Sequence, residues 1–227
     1  MLKCLGGEGL LKHAGDPRRY FLGPLTYQLG VTAAAKLDLR KICAPSMRRI
    51  AVETGDTVFL MAREGNESVC VDRQSGSYPV KTFVVDVGTR RPLGIGAGSL
   101  AILTALAPEE AAASLVFNAS AIQTYPGITA DMLREIARSA APTMRVSMGV
   151  VGVDGVHAVA VPIRDRTGNP VAAFSIAAIA PRMSASRKLE LFDILEREAD
   201  LVGGQLDIFK AGRREEQDEA CMCTALR

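Results

Sequence analysis

Apolar residues recur at three- and four-residue steps through Leu189, Phe192, Leu195, Ala199, Val202 and Leu206. That spacing keeps them on one helical face and predicts an amphipathic helix over 184–209, laid on a sheet. Before it, runs rich in Val, Ile and Ala at 146–151, 157–164 and 170–179 predict strands, with Arg166 to Asn169 turning between the last two. The first half repeats the pattern: strands at 57–63, 68–72 and 78–86, the first two joined by a Gly65-Asn66 turn. Helices are predicted at 98–106, at 108–117 with Pro108 in its first turn, and at 130–139 with Thr129 as cap. Ahead of these lie a helix end over 1–8 and a small hairpin from 10–13 and 19–22 around Gly15, Asp16 and Pro17. Two helices follow, 24–37 and 39–54; Pro45 is expected to interrupt the hydrogen bonding of the second or mark its true start. Residues 210–227 are charged and aperiodic, and read as disordered.

Helix, three strands, helices, three strands, helix is an α+β order. Its short turns fit an antiparallel sheet and leave no room for βαβ crossovers, which excludes a Rossmann fold despite the glycines. With 227 residues, 48% hydrophobic and 23% charged, the chain is long enough for one good-sized domain and a small appendage. A net charge of +2 is too mild for nucleic-acid binding by the whole surface, though not for a local basic patch. No apolar run is long enough to span a bilayer, and residues 1–11 lack a signal-peptide core, so a cytoplasmic protein is expected.

The run 86–106 carries the most chemistry. A basic Gly/Pro turn leads into glycines that open an apolar helix. The first amides of a helix lack internal partners and favour an anion, with Arg90 and Arg91 close by, so a pocket for a small acid fits. Glycines that merely let the helix pack on a sheet explain the same pattern. The five cysteines, an odd number, read as reduced thiols, and Cys70 as a small buried hydrophobe. Cys221-Met-Cys223 has no further pair to complete a metal site, and neither a metal nor another cofactor is expected. His157 falls on the strand face opposite Ala158, and Asp154 and Asp165 read as turn residues.

Three blocks, in order, resemble the IclR family of bacterial transcription regulators over most of the chain, from Leu2 to Phe209. Glu8-Gly9-Leu10-Leu11 followed by Arg19-Tyr20-Phe21-Leu22-Gly23 is similar to the family's wing. The block from Gly88 to Leu106, GTRRPLGIGAGSLAILTAL, is similar to its loop and helix beside a small-molecule site. AVAVPIRDRTG at 158–168, then PVAAFS at 170–175, is similar to its paired core strands. The resemblance implies a GAF-like effector domain over 39–210, with a six-stranded antiparallel sheet flanked by helices. A linker helix over 24–38 and a remnant of a winged helix-turn-helix over 1–23 precede it, and a disordered tail over 211–227 follows.

It further implies binding to DNA and to a small organic acid effector, repression or activation of operons, and a homodimer or homotetramer. Met1 falls inside the recognition helix of the family pattern. DNA binding by this chain is therefore expected to be impaired, with Lys12, His13, Arg18 and Arg19 on the wing left to touch phosphates. Matched motif to motif, Leu93, Ala97, Gly98 and Ser99 lie at the effector helix mouth, Met148, Ala158, Ser175 and Ala177 on facing strands, and Val80 and Phe83 along one side. Ser175 is either a carboxylate donor or a core serine bonded to backbone. Met148, Val150, Val151 and Ala158 stand where many members carry polar residues, so an aromatic or branched carboxylate is expected rather than a short hydroxy acid. No catalytic residue is expected, since neither His13 nor His157 is placed as a base beside a nucleophile. A stand-alone sensor or partner-binding domain without DNA binding is the alternative.

Overall fold

The computed structural model describes the backbone of residues 2–13, 20–34 and 39–224, and the side chains of 2–12, 20–29 and 39–206. It divides into two units, Met1–Leu39 and Arg40–Arg227.

The first unit holds α1 (Leu2–Gly7), β1 (Leu11–His13), β2 (Tyr20–Leu22) and α2 (Pro24–Ala34). The strands pair antiparallel, Leu11 opposite Leu22 and His13 opposite Tyr20. The Gly23 amide closes the base of the hairpin on the Leu10 carbonyl at 2.7 Å.

In the second unit the chain runs α3 (Leu39–Thr54), β3 (Thr57–Glu64), β4 (Glu67–Gln74), β5 (Arg90–Pro92), α4 (Ala97–Thr104), α5 (Pro108–Phe117), α6 (Ala119–Ile122), α7 (Ala130–Ala140), β6 (Val146–Gly149), β7 (Val156–Arg164), β8 (Pro170–Ile179) and α8 (Ala185–Thr224). Six strands form one sheet in the order β5-β4-β3-β8-β7-β6, antiparallel throughout. One face carries Phe59, Met61, Ala158, Ala160, Ala173 and Ala177, joined in one core with α4 and α7. The other carries Val58, Leu60, Val159, Val161, Phe174 and Ile176, with α8 against β7 and β8. Small residues on the first face let α4 come close. All eight of its residues are buried, as expected of a helix apolar all round.

Two expectations change, and one is narrowed. Residues 78–86 do not form a strand: the stretch 75–89 is irregular, and the edge strand is β5. Its capping contacts explain this. The Gly76 and Tyr78 amides bond to the Asp56 and Gly55 carbonyls, Thr82 Oγ1 donates to the Ala177 carbonyl, and Arg73 to the Val85 carbonyl, so the chain crosses the sheet instead of pairing along it. Pro45 lies inside α3: lacking an N–H, it interrupts the helix's hydrogen bonding, as expected, without marking its start. Finally, α8 continues through Thr224, across most of the expected disordered tail; 211–220 is rich in Ala, Arg, Glu and Gln, all good helix formers.

The α3 and α8 helices are tied by Glu198, whose side chain is 2% exposed and accepts from Arg49 Nε and Nη2. Burial pushes this carboxyl up, but hydrogen bonds from Arg49 and Ser46 outweigh it and hold the group below its ordinary value.

Candidate functional site

The site forms where α4 begins against the sheet. Gly98 touches it directly: a Cβ there would fall 2.7 Å from Met61 Cγ and 3.3 Å from Ser175 Cβ. This glycine serves helix packing. Gly96, the N-cap, is different, with φ +91° and open space beside it except for the Arg91 guanidinium. No side chain caps α4, and the amides of Ala97, Gly98 and Ser99 have no acceptor among the described residues. Three N–H groups are thus left at the positive end of the helix.

The two serines of the site differ. Ser99 Oγ accepts from the Gly94 amide at 2.9 Å and from Ser68 Oγ at 2.8 Å, and also reaches the Pro92 carbonyl. Its hydroxyl is committed to holding the loop. Ser175, 6% exposed, has a hydroxyl that makes no hydrogen bond among the described residues, and it lies beside Gly98 on the cleft wall. Arg90 is taken by Glu64 and Glu67. Arg91 lines the cleft and donates to the Val84 carbonyl at 3.2 Å.

Phe59, Met61, Val84, Val85, Ile95, Val150, Val151 and Ala158 complete the walls. About 40 Å³ is free between them, enough for water but well short of the roughly 150 Å³ of a cavity that holds benzene. An aromatic guest therefore requires the walls to move.

Of the residues expected to contact an effector, Ala97, Gly98, Ser99, Ala158 and Ser175 come together here. The other five do not line the cleft. Leu93 is wholly buried in the core, and Ala177 shares the face of Ser175 but is covered, with its carbonyl under Thr82. Met148, opposite Ala158, packs into the core beyond the cleft's edge. Val80 and Phe83 are over half exposed, because residues 75–89 cross the sheet irregularly; the Phe83 ring lies 4.0 Å from the Arg73 guanidinium. Sequence reasoning left Phe59, Met61, Val84, Val85 and Ile95 unassigned. Alternation along β3 could have found the first two; the valines were hidden by the strand expected at 78–86.

On the β1–β2 hairpin, Lys12 is exposed. The His13 side chain, Arg18 and Arg19 lie outside the described residues, as do the side chains of Cys221 and Cys223.

A wider, open groove of about 680 Å³ is lined by 141–144, the end of β7 and α8. It carries Arg164, Asp165, Glu196 and Asp200, a mixed-charge lining. Among the described residues no cluster of His, Cys, Asp and Glu is fit to hold a metal, and no helix is long and apolar enough to cross a membrane. Burial raises the Cys70 thiol to about 11, which keeps it protonated at neutral pH. His157 is on the strand face opposite Ala158, and among the described residues no His, Asp or Glu lines the cleft beside Ser175.

Residues 31–202 match the family model for the C-terminal domain of the bacterial transcriptional regulator IclR. The regulator KipR of Bacillus subtilis is 30% identical over 171 residues, covering 74% of this chain and 67% of that protein. The repressor AllR of Escherichia coli is 29% identical over 195 residues, 82% of this chain and 69% of that one. Among solved structures, the Thermotoga maritima IclR superposes with a TM-score of 0.73 at 24% identity, covering 90% of this chain and 83% of that one. An IclR homologue of Microbacterium hydrocarbonoxydans, complexed with 4-hydroxybenzoate, gives 0.74 at 22% identity over 91% and 83%. These relatives are regulators, not enzymes. The chain belongs to the IclR family of bacterial transcriptional regulators and carries that family's C-terminal ligand-binding domain.

Proposed function

We propose that the cleft at the start of α4 binds a small organic carboxylate, aromatic or branched, and that this binding is the signal the regulator reads. The single observation that carries the reading is the unpaired row of amides at Ala97, Gly98 and Ser99 with the unpartnered Ser175 hydroxyl beside it. Buried donors without acceptors cost free energy, and a carboxylate supplies two acceptor oxygens. The remaining wall is apolar, so the rest of the guest contributes through buried area, on the order of 25 cal/mol per Å². That term favours a ring or branched chain over a short hydroxy acid. The 4-hydroxybenzoate held by a family neighbour belongs to the same chemical class. On the first unit, the β1–β2 hairpin with exposed Lys12 suits contact with DNA phosphates, which positions a protein without reading sequence.

The test is isothermal titration with aromatic, branched and short hydroxy carboxylates. The aromatic or branched acids should bind tightest. Tighter binding by the short hydroxy acids would overturn the assignment of ligand class.

A further inference from the structure

Four arginines lie on or beside the sheet edge that frames the cleft. Arg63 pairs with Glu110, Arg73 with Asp86, and Arg90 with Glu64 and Glu67. Arg91 has no carboxylate partner among the described residues; it lines the cleft and spends one N–H on the Val84 carbonyl at 3.2 Å. Its Nη1 lies 3.6 Å from where a Cβ on Gly96 would be, so the charge sits against the uncapped start of α4. A guanidinium offers five donors in a planar fork suited to a carboxylate. The neighbouring strand residue, on the opposite face, has both its acids; this one has none.

We propose that Arg91 is the specificity-determining residue of the cleft, the group that selects a charged acid over its neutral analogue. It exchanges the Val84 carbonyl for a ligand carboxylate oxygen shared with the Ala97 and Gly98 amides. That exchange frees Val84, one of the apolar residues that line the cleft, so recognition of charge and the making of room are one event. The inference rests on the carboxylate reading of the cleft.

The test compares matched pairs on the full chain: benzoate with benzamide, 4-hydroxybenzoate with 4-hydroxybenzamide, 3-methylbutanoate with 3-methylbutanamide. Affinities are read by ¹⁵N chemical-shift titration into the millimolar range for wild type, R91Q and R91K. R91Q should weaken the acids at least tenfold while changing the amides less than threefold, with R91K in between. A merely structural Arg91, acting through Val84, would move acid and amide equally, and that result overturns the proposal. So does R91Q binding the acids as wild type does, which leaves the carboxylate reading standing. If no acid in the panel binds wild type, both readings fall together.

Discussion

The Ser99 hydroxyl closes the loop before α4, so its loss acts on folding, whereas the Ser175 hydroxyl faces the cleft, so its loss acts on binding. S99A leaves the buried Gly94 amide and Ser68 hydroxyl unsatisfied and should cost about 1–3 kcal/mol in urea unfolding. S175A removes a hydroxyl that bonds to nothing among the described residues; its unfolding midpoint should barely change, and carboxylate affinity should fall about tenfold by titration calorimetry, some 1.4 kcal/mol. Glu198 gives a pH prediction. Its folded carboxyl is held below the ordinary 4.5, so the stability it supplies is complete above that value and is lost as pH falls through the folded value. E198Q should therefore be less stable than wild type at pH 7, and the gap should shrink in urea unfolding repeated below pH 4.5.

Among the elements, the stretch 75–89 is the one the sequence misrepresents. Val80, Phe83, Val84 and Val85 have strand-like composition, and nothing local says that Asp56, Gly55 and Ala177, far along the chain, will supply its hydrogen bonds. The α4 helix was legible because its apolar character and preceding glycines are local facts. Gly96 and Gly98 could not be told apart from sequence, because only the distance to Met61 shows that one packs and the other opens. Since the cleft holds about 40 Å³, a bound aromatic acid requires a wall to move, and the irregular stretch with the half-buried Val84 and Val85 is the expected one. Hydrogen-exchange mass spectrometry should show altered protection across 79–88 on adding 4-hydroxybenzoate, with β7 and β8 unchanged. Unaltered exchange there, with the acid demonstrably bound, would place the guest elsewhere.

For the whole molecule, the antiparallel sheet and its helices follow from hairpin-length turns and helical spacing, which any reader of the chain can find. The closed state of the cleft does not, because it depends on how side chains from five separate elements meet. Binding links this site to the stability of the unit Arg40–Arg227. Ligand at a hundredfold over its Kd adds about 2.7 kcal/mol, or roughly 5–10 °C in Tm for a unit this size. Aromatic and branched acids should give that shift in differential scanning calorimetry, and short hydroxy acids a smaller one.

The most direct measurement is a crystal structure of the chain grown with 4-hydroxybenzoate. The carboxylate should lie within hydrogen-bonding distance of the Ala97 and Gly98 amides and Ser175 Oγ, with the ring between Phe59, Met61 and Val150. Ligand seated instead in the groove between β7 and α8, or an unchanged cleft with the acid bound elsewhere, would contradict this placement.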